Sequence, residues 1–209
     1  VLLGNGNGSF PAAASFATGT TPQSVSIGDF NGDGWPDLAV ANRNSATVSV
    51  LLGNGNGSFQ AAQNFVTGSV PSAVVVGDLN GDGHFDLAIA NYGGNSASVL
   101  LGNGNGTFRA AANFGTGAAP QYLVIGDVDR DGRLDLAVAN RNSMSVSVLM
   151  GNGDGTFQAA DNFTVGALPI SLAFGDLDGD GELDLAVANY GDNTVSILLG
   201  NGNGAFEQA

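Results

Sequence analysis

One period governs the whole chain. Asp29-Phe30-Asn31-Gly32-Asp33-Gly34-Trp35-Pro36-Asp37 returns in altered form beginning at Asp78, Asp127 and Asp176, each copy 49 residues after the last (29, 78, 127, 176). No insertion or deletion breaks the register, and residues 1–13 return as 197–209. The 209 residues are therefore four periods of 49 and an overlap of 13. A strict period of this length marks one supersecondary unit that buries its apolar faces against copies of itself. That restricts the chain to repeat architectures before any single residue is considered.

The unit 20–68 reads as four strands. Pro22, matched by Pro71, Pro120 and Pro169, precedes a short apolar strand over Ser24–Ile27. An Asp-rich loop leads into a second strand, Asp37–Asn42. The turn Arg43-Asn44-Ser45 introduces a third, Thr47–Leu52. The turn Gly53-Asn54-Gly55-Asn56-Gly57 follows, where Gly and Asn tolerate positive φ. A fourth strand is expected from Phe59 towards Phe65, ending at Gly68. Val, Leu, Ile and Phe dominate these runs, with Gly, Asn and Pro between them, and no stretch has helical periodicity. The same reading divides the chain into a partial repeat at 1–19, repeats at 20–68, 69–117 and 118–166, and a truncated repeat at 167–209. In the second strand Leu38 and Val40 face one way and Ala39 and Ala41 the other. A strand apolar on both faces is buried on both. The fold class expected is all-β, with β-propeller-type blades of four antiparallel strands stacked about an axis. A calcium-binding β-solenoid is the runner-up, but its nonapeptide Gly-Gly-x-Gly-x-Asp repeat is missing.

The Asp loops carry the chemistry. Each reads Asp-x-Asn/Asp-x-Asp-Gly-x-x-Asp, placing hard oxygen donors two residues apart around a glycine, the spacing with which a loop wraps Ca²⁺. In the first loop Asp29, Asn31, Asp33 and Asp37 are the side-chain ligands expected, Trp35 a backbone-carbonyl donor, and Gly34 the residue that allows the sharp turn. The other loops map as Asp78, Asn80, Asp82, His84, Asp86; Asp127, Asp129, Asp131, Arg133, Asp135; and Asp176, Asp178, Asp180, Glu182, Asp184. The seventh position varies among Trp, His, Arg and Glu, which suits a residue used only through its carbonyl. Closure by Asp at position nine separates these loops from EF-hands, which close with Glu at position twelve. Two carboxylates ~4 Å apart repel by ~4 kcal/mol at an effective dielectric of 20. Three or more per loop call for a cation, and about four Ca²⁺ are expected, one per repeat. Mg²⁺ is disfavoured by a flexible all-protein cage, and Zn²⁺ by the lack of Cys and of clustered His.

Composition narrows the function. The formal charge is −14, and fourteen Asp plus Glu182 lie in the loops, leaving only Asp154, Asp161, Asp192 and Glu207 outside them. Five Arg and no Lys give nothing to hold a phosphate backbone, so nucleic acid is not an expected partner. There is no Cys, hence no disulfide or thiolate chemistry. No apolar run approaches the ~20 residues that span a bilayer. The chain starts without Met and without a visible signal peptide, as expected of a processed product or a section of a longer chain.

Val25-Ser26-Ile27-Gly28-Asp29-Phe30-Asn31-Gly32-Asp33-Gly34-Trp35-Pro36-Asp37-Leu38-Ala39-Val40 resembles the FG-GAP/VCBS repeat of integrin α-chain propellers, and Leu52–Phe59 is similar to the same family. The resemblance covers essentially the whole chain. It implies propeller blades with Ca²⁺ between the first two strands, an extracellular or cell-surface setting, and roles in adhesion, ligand binding or carbohydrate recognition. Integrin-like rings have more blades than the four units here, so four-bladed closure, assembly of several chains and a section of a larger ring all stay open.

The remaining residues favour a non-catalytic module. His84, the single His, sits at a carbonyl-donor position, and apart from a triad built on it no nucleophile–base set can be assembled. Phe10, Phe59, Phe108, Phe157 and Phe206, and Phe16, Phe65, Phe114 and Phe163, recur in phase and are expected in the packing between blades rather than as sugar platforms. Arg43, Tyr92, Arg141 and Tyr190 alternate in the turn after the second strand, next to Asn42, Asn91, Asn140 and Asn189, and form the expected ligand-contact surface. Asn7, Asn56, Asn105 and Asn162 lie in Asn-x-Ser/Thr sequons. The function expected is a calcium-binding adhesion, ligand- or carbohydrate-recognition module, whose partner is a protein or glycan outside the cell. Alternatives are a building block of a self-assembling extracellular array or filament, associating through its end strands, and a calcium-dependent polysaccharide-active enzyme.

Overall fold

The computed structural model describes residues 1–208. All its regular structure is β. The first sheet comprises β1 (Pro22–Gly28), β2 (Asp37–Asn42), β3 (Thr47–Leu51) and β4 (Gln63–Val66). The second comprises β5 (Pro71–Gly77), β6 (Asp86–Asn91), β7 (Ser96–Leu100) and β8 (Ala112–Gly115). The third comprises β9 (Pro120–Gly126), β10 (Asp135–Asn140), β11 (Ser145–Leu149) and β12 (Asp161–Thr164). The fourth comprises β13 (Pro169–Gly175), β14 (Asp184–Asn189), β15 (Thr194–Gly200) and β16 (Phe206–Gln208). Each sheet is an antiparallel meander in chain order, and the first strands of successive sheets pack on one another. This is propeller-like stacking, with β1, β5, β9 and β13 innermost.

The expected two-faced second strand explains the stacking. Ala39, Ala41, Val48 and Val50 of the first sheet pack against Val74, Leu87, Ile89 and Leu100 of the second. Ala88, Ala90, Ala97 and Val99 meet Leu123, Leu136, Val138 and Leu149 in the same way. Ala137, Ala139, Val146 and Val148 meet Leu172, Leu185, Val187 and Leu198. A small-residue face thus receives a large-residue face at every seam, and each seam is heterologous. The recurring Phe residues close the outer rim. Phe16–Phe59, Phe65–Phe108, Phe114–Phe157 and Phe163–Phe206 pair edge-to-face with ring centroids 5.1, 5.4, 5.3 and 5.5 Å apart. Phe10, 60% exposed, is the one member of the two series without such a pairing.

Two expectations about the strands need correction. The fourth strand does not run on from Phe59. Phe59 makes one isolated bridge to Gly53, Gln60 N–H donates to the Leu52 carbonyl at 2.8 Å, and β4 starts only at Gln63. The register slips by one residue between bridge and ladder, as a bulge requires. In the turn before it, Gly55 and Gly57 take positive φ (75° and 81°), but Asn54 and Asn56 do not. The Asn56 Oδ1 instead accepts from the Ser58 N–H (3.0 Å) and hydroxyl (2.7 Å), so this Asn works through its side chain.

Candidate metal centre

Each Asp loop joins the inner strand of a sheet to its fully two-faced second strand. Asp29 organises the first turn: its carboxylate accepts from the N–H groups of Gly32 (2.8 Å), Asp33 (3.2 Å) and Gly34 (2.8 Å). Asn31 Oδ1 accepts from Asp33 N–H at 3.0 Å, and Asp33 Oδ1 from Trp35 N–H at 2.8 Å. The second loop repeats the pattern through Asp78, Asn80 and Asp82. Gly34, Gly83, Gly132 and Gly181 sit at φ of 84°, 83°, 84° and 88°, the left-handed conformation the sixth position was expected to need.

The ninth residue is buried in every loop: Asp37, Asp86 and Asp184 are 0% exposed and Asp135 is 1% exposed. One Asp37 oxygen accepts from Phe30 N–H (2.8 Å) and the other from Gly53 N–H (2.7 Å). Asp86, Asp135 and Asp184 do the same with Leu79 and Gly102, Val128 and Gly151, and Leu177 and Gly200. Burial pushes the Asp135 pKa up to about 6, opposed by those two N–H groups and reinforced by the charges of Asp129 and Asp127. Asp37 and Asp86 are raised as well, with burial again the first cause. Asp82, an exposed member of its loop, is lowered instead, chiefly by the His84 N–H.

Glycines 53, 102, 151 and 200 were read only as turn residues and belong to this site. None has positive φ, and a Cβ on any of them would run into the carbonyl oxygen of residue 36, 85, 134 or 183. The close approach carries the N–H onto the buried carboxylate. Their recurrence one residue after a Leu or Met was the available sequence signal.

The donors suit a hard cation. In the third and fourth loops, carboxylate oxygens of Asp127, Asp129 and Asp135, and of Asp176, Asp178 and Asp184, lie within 4.8 Å of one another. In the first and second, Asn31 and Asn80 take the place of Asp129 and Asp178. The seventh-position side chains turn outward onto the neighbouring glycine turn: Trp35 lies against Gly55, His84 against Gly104, Arg133 against Gly153 and Glu182 against Gly202. The imidazole of His84 therefore occupies a packing position. Oxygen donors that include a buried carboxylate fit Ca²⁺, whose charge would offset the mutual repulsion.

The third loop departs from the others. Arg130 stands where they have Gly32, Gly81 and Gly179, and it holds the same left-handed conformation at φ 60°. Its guanidinium crosses to the fourth loop, pairing with Glu182 at 2.7 Å and donating to the Gly181 carbonyl. Arg133 pairs with Asp131 at 3.3 Å. Neither contact was legible in the repeat pattern.

The expected ligand-contact residues lie at the other ends of the strands, away from the Asp loops. They are less open than their turn positions suggested. Arg43, Tyr92 and Arg141 are half-buried, and only Tyr190, at 63%, is exposed. The Arg43 guanidinium lies 5.0 Å from the centre of the Tyr92 ring, a cation–π contact across the first seam. Behind them Asn42 donates to Ser49 (2.8 Å), which donates to Asn64 (2.6 Å). The equivalents at Asn91 and Asn140 are wired alike, and Asn189 likewise donates to Ser196 at 2.8 Å.

Comparisons with known proteins agree with this architecture. No match was found among curated proteins. Among solved structures, a lectin of Agrocybe aegerita that recognises non-reducing terminal N-acetylglucosamine is similar, at 25% identity and a TM-score of 0.60, covering 87% of this chain and 49% of the lectin. A periplasmic gluconolactonase of Pseudomonas aeruginosa matches at 21% identity and 0.63, over 90% of this chain and 55% of its own. A protein of Bacteroides uniformis described as a 6-phosphogluconolactonase candidate matches at 14% and 0.75, over 100% and 62%. The chain spans less than two thirds of each, and the latter two likenesses concern the fold alone. The model of the FG-GAP-like repeat matches five overlapping stretches, 1–40, 29–89, 78–138, 127–187 and 176–209. With its four in-phase Asp loops set in four-stranded sheets, the chain belongs to the FG-GAP-like repeat family.

Proposed function

We propose that this chain is a calcium-stabilised, non-catalytic recognition module that works outside the cell on a glycan or protein ligand. The observations that carry the calcium reading are the carboxylate triads of the third and fourth loops and, in all four loops, a buried carboxylate held by two backbone N–H groups. Bound Ca²⁺ would supply fixed positive charge at each loop and tie the inner strand to the second strand. The acids outside the loops, Asp154, Asp161, Asp192 and Glu207, are all exposed, which favours binding over acid–base chemistry. The FG-GAP repeat and the similar lectin favour an extracellular glycan ligand. Among the described residues, no helix is long and apolar enough to cross a membrane.

Calorimetric titration of metal-stripped protein with Ca²⁺ tests the first part, with about four equivalents expected per chain. No heat and no change in melting temperature would overturn it. Binding to glycans ending in N-acetylglucosamine, measured with and without Ca²⁺, tests the second. Tyr190→Ala should weaken binding while leaving the calcium titration intact, and a panel on which no glycan or cell-surface protein binds would remove the recognition reading.

A further inference from the structure

Adjacent Asp loops face one another across each seam inside the chain, and the seams differ in what lies between the loops. Between the third and fourth loops it is an arginine. Arg130, at the fourth position of its loop, donates to the Gly181 carbonyl and pairs with Glu182 at 2.7 Å. Gly181 and Glu182 are the sixth and seventh residues of the fourth loop. Between the second and third loops the fourth position is Gly81, and the seventh position opposite it is itself an arginine. That residue, Arg133, lies against Gly153 and pairs with Asp131 at 3.3 Å. Both seams thus hold a guanidinium supplied by the chain.

Between the first and second loops no arginine lines the seam. The fourth position there is Gly32, and a cavity of about 200 Å³ opens between Asp29 and Gly32 on one side and Gly83, His84 and Gly104 on the other. A Cβ on Gly32 would meet nothing within 4 Å, so the direction Arg130 takes in its own seam is open here. Gly83 and His84 are the periodic equivalents of Gly181 and Glu182. Gly83 shares the left-handed conformation of Gly181, at φ 83° against 88°. The His84 ring lies against Gly104 as Glu182 lies against Gly202. Charge points the same way. The first and second loops each hold three Asp, so one bound Ca²⁺ leaves either loop still net negative.

We propose that the groove between the first and second Asp loops is a docking site for an arginine side chain of a protein or peptide ligand. The occupant follows from the chain itself, because Arg130 shows which group fits between two such loops and which atoms take its hydrogen bonds. The incoming guanidinium donates to the Gly83 carbonyl as Arg130 does to that of Gly181, with Asp29 as its counter-charge. The imidazole of His84 takes the place of the Glu182 carboxylate and gives the planar guanidinium a flat surface to pack on. A lysine ammonium has the charge but neither the plane nor the fork of donors. The groove lies at the opposite end of the strands from Arg43 and Tyr190, and it rests on the recognition reading only in taking the ligand to be a protein.

The test is a titration of the isotope-labelled protein, in excess Ca²⁺, with N-acetyl-arginine methylamide, followed through the backbone amide chemical shifts. The shifts should saturate and concentrate at Gly32, Gly83, His84 and Gly104, and the uncharged citrulline analogue should cause none. Gly32→Arg gives the first loop the residue that the third already holds in the same left-handed region (φ 71° for Gly32, 60° for Arg130). It fills the groove from within and should abolish the response. Arg130→Gly removes the internal occupant of the other seam and should create a second responsive groove at Gly181 and Glu182, a gain readable whether or not Gly32→Arg folds. A wild-type protein that does not respond, responds equally at all four loops, or responds as strongly to the lysine or citrulline analogue would overturn the proposal. So would a folded Gly32→Arg that still responds, or an Arg130→Gly that gains no site. A panel on which no ligand binds, alongside the expected shifts, counts against the recognition reading and supports the groove.

Discussion

Without metal, mild acid should stabilise this protein, the opposite of what an acid-rich chain usually does. Asp135 is the group from which the size of the effect follows. Its folded pKa is pushed up to about 6 from an ordinary 3.8, with burial the leading cause. Because the folded value is the higher one, its contribution is fully present below about 3.8 and is lost as pH climbs through about 6. Between about pH 7.5 and about pH 4.5 the linkage relation gives roughly 2 kcal/mol more stability at the acid end from this one group. Asp37 and Asp86 shift in the same direction and add to it. Bound Ca²⁺ reverses the sign, because the cation favours the ionised carboxylates and protons compete with it.

Urea unfolding of metal-stripped protein across that pH range measures the effect, with Asp135→Asn as the control. The variant leaves one of the Val128 and Gly151 N–H groups without an acceptor and should be less stable overall by about 1–3 kcal/mol. The informative quantity is its pH dependence, which should be flatter than wild type by about 2 kcal/mol over the same interval. General relief of repulsion from the net charge of −14 is common to both proteins and cancels in the difference. Equal slopes for the two proteins, or a metal-free wild type that weakens steadily down to pH 4.5, would refute the reasoning.

Gly151→Ala should cost at least about 2 kcal/mol in urea unfolding, because its Cβ strikes the Leu134 carbonyl and its N–H holds Asp135. Gly115→Ala, where a Cβ meets nothing within 4 Å, should be neutral or stabilising by up to about 1 kcal/mol. Phe108 lies between Phe30 (5.6 Å) and Phe65 (5.4 Å) and is 8% exposed, so Phe108→Ala should destabilise by about 3–5 kcal/mol. The exposed Phe10→Ala should stay within about 0.5 kcal/mol in the same assay. Arg130→Gly removes a cation that reaches from the third loop onto the fourth and restores the residue type of the other three loops. Calorimetry should find the weakest-bound Ca²⁺ tightened by about two- to fivefold at low salt, an advantage that added salt screens away.

The period made the strand order and the loop donors legible, because four copies in register leave little freedom in how each unit meets the next. What it hid falls into three physical kinds. The first is backbone strain without glycine. Thr21, Val70, Ala119 and Leu168 all have φ between 51° and 59°, and nothing in their chemistry announces it. Each precedes a Pro and turns its carbonyl to accept from the N–H of Arg43, Tyr92, Arg141 or Tyr190, so the turn across the strand end imposes the conformation. The second is glycine kept for space instead of φ, as at Gly53, where only the position of the Pro36 carbonyl reveals the need. The third is context. Val25 and Val74 are the same residue at equivalent positions of successive repeats, yet one is 59% exposed and the other 2%. A sequence can specify a face completely and still not say what lies against it. In a stack of heterologous seams that information belongs to the neighbouring sheet, which is why burial cannot be read from one repeat alone.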